Sequence, residues 1–302
     1  MNTRFSLRQF KRKYGTHDMC LEAIKKLQFP DNTKCPKCNT ETIFYKVTNR
    51  TSYACKHCGW HVYPLAGTIF EKSTTPLDLW FFAMYLMVQT RSGTSAKQLE
   101  RMLGVTYKTA WRMFKQIRML MAQGGLPLNG IIEIDETYIG GKGENRAFKD
   151  YSEKEKAIVM GMIQREGKAY FKLIKSTGKW ALLEQIENHI NTDSKIITDE
   201  LGGYSQLRKL GYGHATVKHS ALEFVRKSAF DIKIHTNNIE SFWSGLKRGI
   251  YGVYRHVSNK YLQAYVDEYA WRYNNRKQTG MMFDILLNQV TSVRSLKAEK
   301  II

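Results

Sequence analysis

The sequence has no long apolar run. Its longest, Leu79 to Val88, is ten residues, about half of the roughly 20 that a membrane-crossing helix needs. It also lacks an apolar stretch near its start: Met1 to Tyr14 is polar and basic, so no signal peptide is expected. Acidic residues are scarce against basic ones, 27 Asp+Glu to 47 Lys+Arg over 302 residues, which leaves a formal charge of +20. Such an excess calls for a polyanionic partner, and nucleic acid fits better than an anionic bilayer. Cysteines number only five. Without an export signal they read as reduced thiols. What is plentiful is apolar and aromatic character, 43% and 12%, which excludes a largely disordered chain. The expectation is a soluble cytosolic protein of roughly two domains with a small module attached.

The charge is uneven. Residues 1–130 carry 20 basic and 7 acidic residues, whereas residues 131–302 carry 27 and 20. The first half therefore reads as grip and the second as chemistry. Gln123-Gly124-Gly125-Leu126-Pro127 is the clearest linker between them.

Thr16 to Leu27 predicts a short helix capped by Thr16, with Cys20, Ala23, Ile24 and Leu27 on one face. Lys34 to Ile69 predicts a small β-ribbon. Thr75 as N-cap and Pro76 at the first helical position predict a nearly all-apolar helix through Thr90. From Thr94 the pattern is helix, tight turn at Gly104-Val105-Thr106, then a helix from Tyr107 to Ala122, with Ser95 and Gln98 at capping-box spacing. Beyond the linker the period changes. Strands are expected at Ile131–Ile139, Ala157–Gln164, Ala169–Lys175, Lys195–Thr198 and His214–His219. Helices are expected at Lys179–Ile190, Tyr204–Leu210, Asn238–Gly249 and Tyr261–Tyr273. That order describes an α/β fold, a mixed sheet with flanking helices.

Three constellations carry chemistry. Cys35-Pro36-Lys37-Cys38 and Cys55-Lys56-His57-Cys58 lie 16 residues apart, a spacing that suits one structural Zn²⁺ better than disulfides or inert thiols. Asn39 and Gly59 follow the two pairs and tolerate the left-handed backbone of a knuckle. Cys20 reads as plain core. The second helix of the helical pair presents Lys108, Thr109, Arg112, Lys115 and Gln116 between apolar positions, suited to a DNA groove and its phosphates, although an ordinary hairpin with a basic face has the same pattern. Last come the carboxylates Glu133, Asp135, Asp199 and Glu240, two of them at strand ends, where ligands gather in open α/β sheets. Lys247 follows Glu240 by seven residues, on the same helix face. Clustered carboxylates call for Mg²⁺ or Mn²⁺, and two such ions suit phosphodiester chemistry. Gly140-Gly141-Lys142-Gly143 reads as a turn, His189, His214, His219 and His235 as surface or core, and the stripe Tyr261, Tyr265, Tyr269, Trp271 and Tyr273 as helix packing.

With these residues in place the chain resembles a bacterial insertion-sequence transposase of the DDE superfamily, in the group joining a zinc ribbon to an ISXO-type, RNase H-like catalytic domain. The resemblance rests on the two CxxC pairs, on Ile134-Asp135-Glu136-Thr137-Tyr138-Ile139-Gly140-Gly141 and on Thr198-Asp199-Glu200. It rests further on Asn237 to Arg248, on Tyr254-Arg255-His256-Val257-Ser258 and on Arg272-Tyr273-Asn274-Asn275-Arg276. It implies that Asp135 and Asp199 are metal-binding aspartates, Glu240 the third acid, and Lys247, with Arg248 beside it, a contact to substrate phosphate. The implied reaction is metal-dependent cleavage at the element's ends, then attack of the freed 3′-hydroxyl on target DNA. The partners implied are end and target DNA, with a homodimer or larger assembly on DNA and a nucleoid-associated location. The domains expected are a helical segment over 1–30, the zinc ribbon over 31–70, a helix-turn-helix region over 71–125, the RNase H-like domain over 126–290 and a tail over 291–302. Two other readings share this chain: a DNA-binding regulator on a dead scaffold, and a nuclease that cuts without joining.

Overall fold

The computed structural model describes residues 5–122, 124, 127–140, 156–217, 225–227 and 233–292. Residues 141–143 of the glycine-rich turn, His219 and most of the expected tail lie outside them. The chain forms two units. One runs up to Met121 and takes in the chain from Lys277 onward; the other spans Ala122–Arg276.

The first unit opens with α1 (Leu7–Tyr14), where Ser6 and Gln9 form a capping box. Then comes α2 (His17–Gln28), capped by Thr16 as expected, with Cys20, Leu21 and Ile24 inward. Five short strands follow: β1 (Thr33–Lys34), β2 (Glu41–Thr42), β3 (Phe44–Lys46), β4 (Tyr53–Cys55) and β5 (His61–Val62). β1 pairs with β2, and β3-β4-β5 form an antiparallel sheet. The apolar helix α3 (Leu77–Gln89) begins one residue later than expected. Pro76 is its N-cap, and Thr75 instead offers its hydroxyl to Arg112. α4 (Ala96–Leu103) and α5 (Tyr107–Leu120) form the helical pair, joined through Gly104 at φ +65, a backbone region that favours glycine.

In the second unit β6 (Ile131–Ile139), β7 (Ala157–Gln164) and β8 (Ala169–Ile174) form an antiparallel meander. Helix α6 (Lys179–His189) leads to β9 (Lys195–Thr198), and β10 (Gly213–Thr216) completes the sheet. The strand order is β10-β9-β6-β7-β8, with β9 parallel to β6 and β10 parallel to β9. Counted from the first strand this is 3-2-1-4-5 from one edge, the mixed sheet of an RNase H-like fold. A small hairpin of β11 (Arg226–Lys227) and β12 (Lys233–Ile234) precedes α7 (Asn237–Arg248), and α8 (Asn259–Asn274) follows. β6 alternates. Ile132 and Ile134 pack with Leu182, Leu183 and Ile186 of α6 on one face. On the other, Ile139 joins Val159, Phe171 and the α7–α8 residues Phe242, Leu246, Leu262 and Val266.

Two expectations needed correction. No helix forms over Tyr204–Leu210; a 3₁₀ turn at Gly202–Tyr204 gives way to further tight turns. Tyr204 and Leu207, three apart, both bury, and that spacing suits i→i+3 bonds such as Leu207 to Tyr204. The sheet-bearing unit also closes at Arg276 rather than near residue 290. The reason is α9 (Met282–Asn288): its Phe283 sits among Phe5, Phe10, Tyr14 and Phe81 of the first unit, with ring centroids 5.1–6.0 Å away. Tyr269 and Trp271 of α8 are buried, as packing requires. Among the described residues no helix is long and apolar enough to cross a membrane.

Candidate active site and zinc site

The ribbon brings its four cysteines together. Both knuckles turn as expected, with Asn39 at φ +56 and Gly59 at φ +70. Their amides close back on Cys35 and Cys55 carbonyls at 2.9 and 3.0 Å. All four sulfurs lie within 4.8 Å of one another, with Cys35–Cys58 at 3.6 Å and Cys38–Cys55 at 3.9 Å. A Zn–S bond of about 2.3 Å in a tetrahedron puts neighbouring sulfurs about 3.8 Å apart. The residues fit one structural zinc, and the separations are far too long for disulfides. Cys55 is held down to about 6, because hydrogen bonds from Thr42 and from the backbone of Cys58 and His57 outweigh its burial. Cys58 sits up at about 11, where burial and the other three sulfurs outweigh its bond to Trp60. Cys20, buried and pushed up to about 12 by desolvation, is core as expected.

Strand order assembles the second site. β6 and β9 lie side by side and parallel, so Asp135, at the middle of β6 rather than at its expected end, stands level with Asp199 just past β9. α7 crosses the same face and carries Glu240. Asp135 accepts a bond from the Trp243 indole N–H at 2.9 Å. Its carboxyl is pushed up to about 6, first by burial and further by the negative charges of Asp199 and Glu240. Asp199 accepts from the Leu201 amide at 3.0 Å, and Glu240 accepts from the Thr236 hydroxyl at 2.7 Å. Among the described residues the three carboxylates do not converge as tightly as the four sulfurs. Neighbouring carboxylates offer the hard oxygen donors that a divalent cation needs.

Glu133 is different. It is fully buried, and it accepts from Arg165 Nε at 2.8 Å, from Asn238 Nδ2 at 2.8 Å, and from the Asn238 and Ile239 amides at 3.0 and 3.3 Å. It caps α7 and sets where that helix starts. His235 lies 3.3 Å from Glu133 and is kept below its ordinary value by burial and Arg165. His214 bonds Thr198 at 2.9 Å and His189 stacks on Tyr170 at 4.0 Å, so both serve packing.

Residues 127–274 match the family model of the ISXO2-like transposase domain, and residues 15–61 match the transposase zinc-ribbon domain. The chain belongs to the insertion-sequence transposases. A curated relative, an uncharacterized protein in transposable element ISH50 of Halobacterium salinarum, is 33% identical over 129 residues, 41% of this chain and 42% of that protein. The match thus spans less than half of the relative's length. Among solved structures, a chain in the cryoEM structure of a simian T-cell lymphotropic virus intasome in complex with PP2A regulatory subunit B56 gamma superposes with a TM-score of 0.30. Its identity is 14% over 64% of each chain, a likeness too distant to argue from.

In the helical pair, Lys108, Arg112 and Lys115 are exposed, while Thr109 and Gln116 are half-buried. Thr109 belongs to the cap of α5, its hydroxyl 3.1 Å from Thr106. Arg112 reaches back to Ser73 and Thr75 at 3.3 and 3.4 Å, and Gln116 Oε1 is buried. In α7, Lys247 is half-buried and Arg248 exposed, its Nε bonding the Ser244 carbonyl at 3.2 Å.

Three residues near these acids carry no signal in the sequence. Glu136, on the opposite face of β6, takes a hydrogen bond from Tyr204. It is pushed up to about 8 by burial, then by Asp135 and Asp199. Trp243 lies in a motif but showed no sign of its bond to Asp135. Gly161, directly across from Asp135 in register, is the least visible. A Cβ there would stand 2.7 Å from Phe171 and 2.8 Å from Trp243. The indole reaches Asp135 because Gly161 leaves it room. Gly161→Ala is expected to cost about 1–3 kcal/mol through overpacking and to shift the Trp243 emission. An unchanged melting temperature and spectrum would count against this role.

Proposed function

We propose that the protein is a DDE transposase, which cuts DNA at the ends of its element and joins the freed 3′-hydroxyl to target DNA. The observation that carries this reading is Asp135, raised by burial and by Asp199 and Glu240 at the end of parallel strands. Asp135, Asp199 and Glu240 are the residues that would hold Mg²⁺ or Mn²⁺, two ions by our reading. When bound, such ions activate water or a 3′-hydroxyl and stabilise the leaving oxygen. The chain's own part is positioning. Trp243 fixes Asp135, Glu133 fixes the start of α7 and so the place of Glu240, and Lys247 further along α7 takes a substrate phosphate, with Arg248 nearby. Lys108, Thr109, Arg112, Lys115 and Gln116 are assigned to DNA, with Lys108 and Lys115 the best presented and Arg112 and Gln116 the least. Joining two ends requires at least two copies on DNA, and DNA as substrate places the work in the cytoplasm.

The test uses a plasmid carrying the gene with its native flanks, a second target plasmid, Mg²⁺ and purified protein, wild type beside Asp199→Asn. Joined products from wild type alone are expected. Specific binding of the flanks without cleavage would turn the reading to a regulator, and nicking without joining to a nuclease.

A further inference from the structure

Trp180 is 76% exposed, the most exposed large apolar side chain among the described residues. It lies in the first turn of α6, with Lys179 Nζ 4.7 Å from its ring centroid. Its place follows from topology. β8 runs in the same direction as β6, because each is antiparallel to β7. The chain therefore leaves β8, and α6 begins, at the end of the sheet toward which β6 runs on from Asp135, with α6 on the opposite face. Contacts bring the two closer. The first turn of α6 packs on Gly203, where an added Cβ would stand 2.7 Å from Leu182, 3.3 Å from the Thr177 carbonyl and 3.9 Å from Lys179 Cα. Gly203 belongs to the turn that follows Asp199, and the next residue, Tyr204, bonds Glu136 beside Asp135.

We propose that Trp180 is a stacking platform for an unpaired DNA base at the catalytic end of the sheet. The proposal rests on the reading of the acids as the DNA-processing site. A fully paired duplex hides its base faces, so a single protruding ring finds a partner only where a base is unpaired or terminal. Lys179 lies over the ring, and Lys172 in β8 and Lys175 just past it add positive charge of the kind a phosphate backbone matches, while Glu184 lies a turn further along α6. Tyr138, on the face of β6 that α6 covers and opposite to Asp135, is 50% exposed.

The experiment uses a short duplex with a single-stranded 3′ extension carrying 2-aminopurine, and its blunt counterpart. Proteins are wild type, Trp180→Phe and Trp180→Ala, each also in an Asp199→Asn background. The extension should be quenched by wild type, partly by Trp180→Phe and not by Trp180→Ala. Affinity for the extended probe should fall about 5- to 150-fold in Trp180→Ala, with the blunt probe unchanged. Equal quenching by Trp180→Ala, or equal loss of affinity for both probes, would overturn the proposal. Asp199→Asn that still joins DNA would sink the catalytic reading alone, since quenching is read without cleavage.

Discussion

Asp135→Asn should extinguish strand joining and at the same time make the metal-free protein harder to melt. The two effects share one cause. Folding raises the Asp135 carboxyl from 3.8 to about 6, so between these values the folded state holds a proton that the unfolded chain has lost. Raising the pH through this window destabilises the metal-free fold, and above about pH 6 the whole penalty is present. A shift of this size corresponds to at most about 3 kcal/mol. Asn carries no charge and keeps an oxygen for the Trp243 indole N–H. The variant should therefore melt a few degrees higher than wild type at pH 8 and match it near pH 4. Joining should drop at least about 10³-fold, because a cation loses a ligand charge. Calorimetry in chelator and a joining assay check the two halves. Joining within tenfold of wild type, or identical melting at pH 8, would remove Asp135 from the centre of the site.

Stripping zinc should have the largest structural effect, and it should be local. The ribbon's own core is thin: Phe44, Tyr53 and Val62 with the cysteines, on strands of two or three residues. A segment of this size rarely folds alone, and a four-thiolate zinc contributes about 10–16 kcal/mol to such modules. Chelation, or Cys55→Ser, should abolish amide protection across residues 31–70 and weaken binding to element ends. The β6–β10 sheet, in the other unit with separate cores on its two faces, should keep its protection. Hydrogen exchange read by residue decides the matter. Global loss of protection, or none, would each contradict the expectation.

Most of the sheet was legible because its strands announce themselves. Ala157–Gln164 is an apolar run, Ile131–Ile139 and Lys195–Thr198 are rich in isoleucine, and the ends of all three coincide with the observed strands. The two CxxC pairs carried the zinc site in their spacing alone. What escaped depends on partners distant in sequence. Glu133 and Asp135 lie two apart on the same strand face, and only Arg165 and the start of α7 make one an anchor and leave the other a candidate ligand. Gly161 is one glycine among 22, and its value lies in the ring opposite it. The Tyr204–Leu210 pattern was apolar enough for a helix, but three-residue spacing of the buried pair favoured tighter turns.

The return of α9 to the first unit has a consequence for synthesis. The sheet-bearing unit is in effect an insertion between two stretches of the other. On the ribosome, the aromatic nest of Phe5, Phe10, Tyr14 and Phe81 waits unfilled while the strands of the insertion emerge and fold. It closes only when Phe283 arrives, after the whole insertion has been made. The unit that begins ahead of the insertion is thus completed only after it, and a chain released before Phe283 would carry a folded sheet and an incomplete helical unit.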